Sequence, residues 1–231
     1  MRRGIMARHG RCRCGRGAAG WRGAVRWLRA LAVGGAVWLA AAVAAQAASF
    51  GELVVLRGKA VVTRGESSAL VLDRAPVEEG DRVDALADSK VQLLIGGKGS
   101  GLEAVLAART SIVVGRLQQG GGLGAPIALT FGVLRARVRS WAGQPFVSTR
   151  AATIGIKGTD FVTWVKRPQA AEFVGVEGLI DCVSRSNKDF SIQIGSRQWG
   201  EIVENEKPKA PVAVPDDVWR QVQSEYAFPE P

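Results

Sequence analysis

The strongest constraint on the fold is a succession of short segments in which apolar and polar residues alternate, each ended by a glycine-rich or acidic breaker. Alternation with a period of two is typical of strands that have one buried and one solvated face. Many such segments at short spacing, separated by turn residues, predict an all-β fold. The predicted strands cover residues 53–56, 60–64, 69–72, 82–86, 90–95, 104–106, 111–114, 127–130, 133–138, 146–149, 161–165, 172–176, 180–183 and 190–194.

Two architectures fit this succession of strands. One is a sandwich of two sheets, and the other is a coiled, solenoid-like stack in which each rung buries the face of the previous one. The spacing of the segments is too irregular for a strict repeat, so both architectures stay open. About 150 residues are enough to enclose one core. We therefore expect one β-domain over residues 48–206.

The first 47 residues differ from the rest of the chain in charge and hydropathy. They contain nine of the 31 lysines and arginines and no acid, and the apolar run Ala30 to Ala45 ends in a small-x-small pattern at Ala47. A basic start, an apolar stretch and such a pattern predict a secretory signal peptide, residues 1–47, cleaved after Ala47. The alternative is an uncleaved inner-membrane anchor, which would be the chain's only membrane contact. Under either reading the remainder is periplasmic, or secreted after cleavage.

Setting this leader aside changes what the composition implies. The whole chain has a formal net charge of +10, but residues 48–231 contain 22 bases and 21 acids. Nucleic-acid affinity requires clustered cations that displace counterions from phosphates. The longest Lys/Arg run after the leader is the pair Lys166-Arg167. A nucleic-acid partner is therefore not expected.

The leader also holds most residues that could carry chemistry. The one histidine, His9, and two of the three cysteines, Cys12 and Cys14, lie in it. A mature chain without histidine cannot build a Ser-His-Asp or Cys-His site or a histidine metal site. Cys182 shares one face of a predicted strand with Ile180, which favours a buried thiol over an intermolecular disulfide. We predict no enzyme, no cofactor and no metal site; the sequence leaves the oligomeric state open.

One alternating strand carries a row of cations. Over residues 134–139, apolar side chains alternate with Arg135, Arg137 and Arg139. Period-two alternation places the three arginines on one face, away from the core. This pattern predicts an exposed stripe, either a solvated face or a docking edge for an anionic polymer or partner.

The C-terminal residues, 207–231, have a different character. They begin with a proline-rich stretch typical of an extended tether, and the acids at 216–217 can cap a short helix. Three side chains then share a helical face: Trp219, Val222 and Tyr226. The helix either folds back on the β-domain or docks on a partner.

Four segments in this order resemble the FecR domain, over roughly residues 53–200. They are residues 58–65, residues 77–93 with the turn Gly80-Asp81, residues 129–138 and residues 146–162. The last segment is the most specific: its Gly155-Ile156-Lys157-Gly158-Thr159-Asp160-Phe161 is similar to the family's G-V-R-G-T-x-F.

The same block has a physical interpretation. Gly155 and Gly158 permit backbone angles closed to other residues, which predicts a sharp turn between two strands. Thr159 and Asp160 would then hydrogen-bond amides exposed by the bend, and Phe161 would enter the core. Lys157 stands where the family has arginine, so a two-pronged guanidinium contact is not available there.

The resemblance implies an exported, non-enzymatic protein that binds another envelope component in signalling or assembly. FecR-type regulators also carry a cytoplasmic anti-sigma region, but only about 26 residues precede the apolar run, too few for a folded domain. We therefore expect a stand-alone FecR domain. The alternative is a peptidoglycan- or polysaccharide-binding module, for which scattered tryptophans would form the platform: Trp141, Trp164, Trp199 and Trp219.

Overall fold

Strands dominate the part of the chain that the structure, a computed structural model, describes. These residues are 50–96, 101–115, 126–138 and 147–229, without the side chains of residues 156–158. The predicted signal peptide, Arg139 and Trp141 lie outside them, as does the side chain of Lys157. The described residues belong to one compact unit.

The strands and the helix are numbered in chain order. The strands are β1 Gly51–Arg57, β2 Ala60–Arg64, β3 Ser67–Val71, β4 Arg74–Val77, β5 Arg82–Ala85, β6 Lys90–Ile95, β7 Leu102–Leu106, β8 Thr110–Val114, β9 Ile127–Val138, β10 Val147–Ser148, β11 Ala152–Arg167, β12 Ala170–Ser184, β13 Ser191–Ile194, β14 Gln198–Val203 and β15 Val212–Ala213. The helix is α1, Asp216–Ser224. The all-β class with a short C-terminal helix is thereby confirmed.

Backbone pairing arranges these strands in two ladders that share three long strands. The first ladder has the order β4-β1-β6-β7-β9-β11-β12-β14-β15. The second has the order β3-β2-β5-β8-β9-β10-β11-β12-β13. Pairing is antiparallel throughout the named strands except between β9 and β10. A stack of parallel rungs is thus absent from the described strands, and the sheet folds over on itself as in a sandwich.

The shared strands β9, β11 and β12 pass from one ladder to the other at local irregularities. Strand β9 pairs with β8 up to Phe131 and with β7 from Leu134. Between them lies Gly132, whose φ of +98° is accessible mainly to glycine. Strand β11 shifts register between Lys157 and Asp160. The bends let one strand contribute to both sides of the core.

The main hydrophobic core lies between the two ladders. Leu53 and Leu93 enter it from the first ladder, and Val83 and Ile112 enter it from the second, all fully buried. Phe161 is also fully buried there, as predicted. Side chains from both ladders therefore shield one another from water, which is the main source of stability in such a fold.

Two local predictions differ from the observed pairing. The predicted strands 53–56 and 60–64 are three residues apart, as in a hairpin, but β1 and β2 do not pair with each other; the turn between them leads from the first ladder to the second. Residues 127–130 and 133–138 were expected as two strands and are one, because Gly132 bends β9 without ending it.

No helix within the described ranges is both long enough and apolar enough to span a membrane.

Candidate functional site

The outer face of the first ladder, opposite the main core, carries the features from which a site can be built. Across neighbouring strands, Arg135 faces Val162, Val162 faces Val174, Val174 faces Trp199, and Trp199 faces Val212. Residues directly opposite on adjacent strands present their side chains to the same face. Val162, Val174 and Trp199 of this row belong to a second hydrophobic cluster, separate from the main core.

The C-terminal segment folds back onto this outer face. Strand β15 pairs with β14, and the amide of Val214 donates a hydrogen bond to the carbonyl of Arg197 at 2.9 Å. Val222 is fully buried, and Tyr226, just beyond α1, is also buried. The predicted return of the helix to the β-domain is therefore what the structure contains, whereas the tether is partly a strand. Docking by Val222 and Tyr226 on a partner would require the segment to detach.

The helix begins differently from the sequence expectation. The residue before it, Pro215, occupies the N-cap position, and no side chain supplies a capping hydrogen bond. Asp216 and Asp217 lie in the first turn instead, where negative charge stabilises the helix dipole. Trp219 is half-buried, with the guanidinium of Arg197 over its ring at 5.1 Å.

A buried ion pair lies at the other end of the helix. The Nε of Arg135 donates to Oδ1 of Asp160 at 2.8 Å, and its Nη2 donates to Oδ2 at 2.8 Å. The side chains of Arg135 and Asp160 are only 6% and 4% exposed. Arg137 adds a contact to Asp160 Oδ2 at 3.3 Å. Two parallel hydrogen bonds make this a geometrically specific link between β9 and β11.

Arg135 also connects the sheet to the C-terminal segment. Its Nη1 donates to the backbone carbonyls of Val222 and Tyr226, each at 3.4 Å. Carbonyls at a helix C-terminus lack partners within the helix, and a cation there satisfies them. The ring of Phe228 lies 4.2 Å from the guanidinium of Arg137 and 5.1 Å from that of Arg135. These contacts hold the last described turn against the sheet.

The prediction of an exposed arginine stripe is therefore wrong for the two described members. Arg135 is buried, and Arg137 is partly covered by Phe228 and paired with Asp160. Alternation correctly places both on the face opposite the core. It does not reveal that the C-terminal segment covers that face. Neither arginine is a free docking cation in this conformation.

The glycine block around residue 157 is not a sharp turn. Strand β11 runs continuously from Ala152 to Arg167, with a bulge near Lys157 to Asp160. A Cβ at Gly155 would meet only ordinary contacts, with the carbonyl oxygen of Asp181 at 3.8 Å. Buried Thr159 has no hydrogen-bond partner for its hydroxyl among the described residues. Asp160 binds arginine rather than local amides, so both expected roles are corrected. Gly158 lies within the same strand.

The turn at Gly80-Asp81 is built as a small polar site of its own. Gly80 has a φ of +91°. Asp81 is fully buried and accepts bonds from Arg64 Nε at 2.8 Å, Arg64 Nη2 at 2.7 Å and the amide of Glu78 at 2.8 Å. Burial alone would raise the pKa of Asp81, but the bonds from Arg64 and the Glu78 amide outweigh it and hold the pKa below its ordinary value.

A cleft of about 740 Å³ remains on the outer face beside α1. The helix has nine residues, and at 1.5 Å per residue it spans about 13 Å, too short to cover the whole face. Residues from β9, β11, β12, β14, β15 and α1 line the cleft, and its walls are mainly apolar. The aromatic members are Phe131, Trp164, Trp199 and Tyr226. A concave apolar site with a few polar groups is the usual form of a binding site.

The aromatic side chains of the cleft are fixed by contacts with the protein. The rings of Trp164 and Tyr226 meet edge to face, with centroids 6.0 Å apart and planes at 77°. Trp199 Nε1 donates to Glu172 Oε2 at 3.4 Å. Burial raises the pKa of Tyr226, and the Trp164 side chain opposes that change. Trp164 and Trp199, two of the four predicted tryptophans, therefore come together here, whereas Trp219 contacts Arg197.

Charged residues stand at the rim of the cleft. Lys166 Nζ contacts Glu172 Oε1 at 2.9 Å, and the lysine side chain is 69% exposed. Arg109 is exposed and makes no ion pair with a described residue. Gly132 places this arginine: a Cβ there would lie 2.6 Å from Thr110 Cα. Only glycine lets the turn before β8 approach β9 so closely.

The remaining candidates for chemistry are the thiol of Cys182 and side chains that could bind a metal ion. Cys182 is buried, and that burial raises the pKa of its thiol well above the ordinary value, which agrees with the predicted inert thiol. Within the described part of the chain, no group of three or more histidine, cysteine, aspartate and glutamate side chains could hold a metal ion.

Sequence reasoning missed most of the cleft and the partner of Arg135. Asp160 follows a glycine-threonine pair that suggested a turn, and its arginine lies 25 residues earlier. One signal was present: Val162 and Trp164 alternate with core residues Phe161 and Thr163, so β11 carries large apolar side chains on both faces. A strand that is apolar on both faces indicates a second covering element.

Comparison with known proteins leaves the family open. No protein-family model matches the chain, and neither does any curated protein. Two crystal structures from Parabacteroides distasonis ATCC 8503, each provisionally assigned as an anti-sigma factor, overlap part of it. The 2.50 Å structure has a TM-score of 0.47 and 13% identity, covering 62% of this chain and 64% of that one. The 1.65 Å structure has a TM-score of 0.45 and 13% identity, and the match covers 61% of this chain and 64% of that one. The chain thus matches less than two thirds of either solved chain.

Proposed function

We propose that this chain is an exported, non-enzymatic protein of the FecR-domain type that binds another component of the cell envelope in signalling or assembly. The observation that carries the binding role is the cleft of about 740 Å³, with mainly apolar walls and charged residues at its rim. Aromatic side chains and isolated charges at the edge of an apolar site are typical of recognition surfaces.

The sequence supports the other parts of the proposal. The basic, apolar and small-x-small pattern of residues 1–47 supports export. The four FecR-like segments support the domain type. In the fold, two of those segments are joined by the ion pair of Arg135 and Asp160. The carboxylate of Asp160 is therefore engaged in structure, which argues against its use as a catalytic acid or base.

Site-specific crosslinking in the producing cells tests the proposal. A photoreactive amino acid replaces Val218 at the cleft or, in the control, Leu70, which is 57% exposed in β3. We expect a discrete crosslinked envelope protein from position 218 and none of that size from position 70. Equal crosslinking from both positions, or a full-length chain with its leader recovered in the cytosol, would contradict the proposal.

A second candidate is a peptidoglycan- or polysaccharide-binding module. Trp164, Trp199 and Tyr226 lie together in the cleft, and aromatic rings with neighbouring polar groups can hold sugars. Cosedimentation with purified peptidoglycan tests this candidate. Binding that is lost in Trp199→Ala and kept in Trp219→Ala would favour it over a protein partner.

A further inference from the structure

The extent of the cleft indicates the length of ligand that it can bind. Cleft residues come from β9, β11, β12, β14 and β15, which are five neighbouring strands of the first ladder. With strands about 4.8 Å apart, the cleft extends about 19 Å across the sheet. At about 3.3 Å per residue, that distance accommodates about six residues of an extended chain.

The cleft also reaches an open edge of the sheet. Strand β15 pairs with β14 only, among the described strands, and Val212 on it is 53% exposed. An occupant can therefore enter and leave across this edge, as a segment of a longer molecule must.

The charges of the cleft favour an acidic occupant. Arg109 has no ion pair with a described residue, and the side chain of Lys166, another residue of the lining, is 69% exposed. The acid of the lining, Glu172, is already engaged by Lys166 and Trp199. The charge of the lining that has no ion-pair partner among the described residues is the positive charge of Arg109. A carboxylate near Arg109 would complement it.

The aromatic geometry favours a peptide over a sugar. Stacking on a sugar requires an open ring face, whereas Tyr226 is buried and its ring meets that of Trp164 edge to face. The indole nitrogen of Trp199 and the carboxylate of Glu172 bind each other. The exposed apolar residues of the lining are Phe131, at 50%, and Val212, at 53%, and they suit aliphatic or aromatic side chains of a peptide.

We propose that the cleft binds an extended acidic segment of a partner protein, with an apolar side chain between α1 and the sheet and a carboxylate on Arg109. This inference rests on the proposed binding function and specifies its ligand. The recognition is electrostatic at the rim and hydrophobic within, so affinity falls as salt rises.

Panning the purified protein against a phage-displayed library of random heptapeptides tests this inference. We expect enriched sequences that combine Asp or Glu with Leu, Ile, Val or Phe. A selected peptide, made synthetically and titrated by fluorescence anisotropy, should bind about tenfold more weakly to Arg109→Glu, and its Asp→Asn version should also lose affinity. Val212→Glu, on the exposed edge strand, should weaken binding without affecting the fold.

The matched control is Lys188→Glu, which makes the same charge change at an exposed position of the loop between β12 and β13. Its affinity should stay within about twofold of the wild type, because a screened charge outside the cleft contributes little. Circular dichroism checks that each variant is folded.

Several results would overturn the inference. Enriched peptides without an acidic excess, equal binding by Arg109→Glu and the wild type, or competition by N-acetylglucosamine oligomers would each do so. The last result would leave an envelope-binding function in place with a different ligand. Failure of the binding function itself would appear separately, as equal crosslinking from positions 218 and 70 in cells.

Discussion

Two arginine–aspartate pairs with the same hydrogen-bond pattern lie in different surroundings. In each, Nε and Nη2 of one arginine bind the two oxygens of one aspartate, at 2.8 and 2.7 Å for Arg64 and Asp81 and at 2.8 and 2.8 Å for Arg135 and Asp160. The side chain of Arg64 is 46% exposed, whereas that of Arg135 is 6% exposed.

Pairs with the same hydrogen-bond geometry therefore need not contribute equally to the free energy of unfolding. Water can replace Asp81 as a partner of the half-exposed Arg64, but it cannot readily reach Arg135. The first pair fixes a turn, whereas the second joins two strands to the C-terminal carbonyls. Losing one member should therefore cost more free energy of unfolding at the buried pair.

The largest effect is expected from Asp160→Asn. This variant leaves the buried guanidinium of Arg135 without its counter-charge, and we expect the free energy of unfolding to fall by about 3 to 5 kcal/mol. Urea unfolding followed by circular dichroism measures the change. The double variant Arg135→Met/Asp160→Leu should lose less than Asp160→Asn alone, because no unpaired buried charge remains at those positions. A larger loss in the double variant would contradict this account.

Asp81→Asn should have a smaller effect, about 1 to 3 kcal/mol, because it weakens the bonds to Arg64 and to the Glu78 amide. The folded-state pKa of Asp81 lies below its ordinary value, so its stabilisation is present above the unfolded pKa of about 3.9 and disappears as pH falls through the folded pKa. The difference in unfolding free energy between wild type and variant should be constant from about pH 8 to pH 5 and shrink below about pH 4. A difference that grows on acidification would refute the assignment.

Phe228→Ala tests whether the tail contributes to covering the buried pair. Loss of a ring over two guanidinium groups should lower the free energy of unfolding by about 1 kcal/mol. It should also increase hydrogen exchange at the amides of α1, since the C-terminal turn loses a contact with the sheet. Unchanged exchange in α1 would show that Phe228 does not help to hold the helix.

The smallest effect is expected from Arg64→Lys. Lysine keeps the charge beside Asp81 but cannot supply the two parallel hydrogen bonds. At this half-exposed position we expect a loss of about 0.5 kcal/mol, measured by urea unfolding. The same exchange at the buried pair, Arg135→Lys, should cost several times more; equal losses would remove the distinction between the two sites.

The sequence was sufficient for the fold class, and particular residues show why it was insufficient for the architecture. Alternation identified most strands, and it placed Arg135 and Arg137 on the correct face. Gly132 lies between two predicted strands that form one strand in the structure. A glycine suggests a break in a strand even where it only bends it. The path of a chain through two ladders depends on contacts distant in sequence, which local pattern does not contain.

The candidate site depends still more on distant contacts. The cleft combines Arg109, Trp164, Trp199 and Val212, which lie far apart in sequence. The C-terminal helix has the predicted apolar face, but the sequence did not determine whether this face packs on the β-domain or docks on a partner. That choice depends on the outer face of Val162 and Val174, which becomes recognisable only once the strands are paired.

The sharing of β9, β11 and β12 by both ladders has a mechanical consequence. Each of these strands is continuous and pairs with strands of both ladders. The two ladders therefore cannot separate or slide past each other without breaking backbone hydrogen bonds. A load applied at Trp199 or β15 is therefore transmitted along β12 to the far layer. Occupation of the cleft on one side should be detectable as slower amide exchange near β13 on the other.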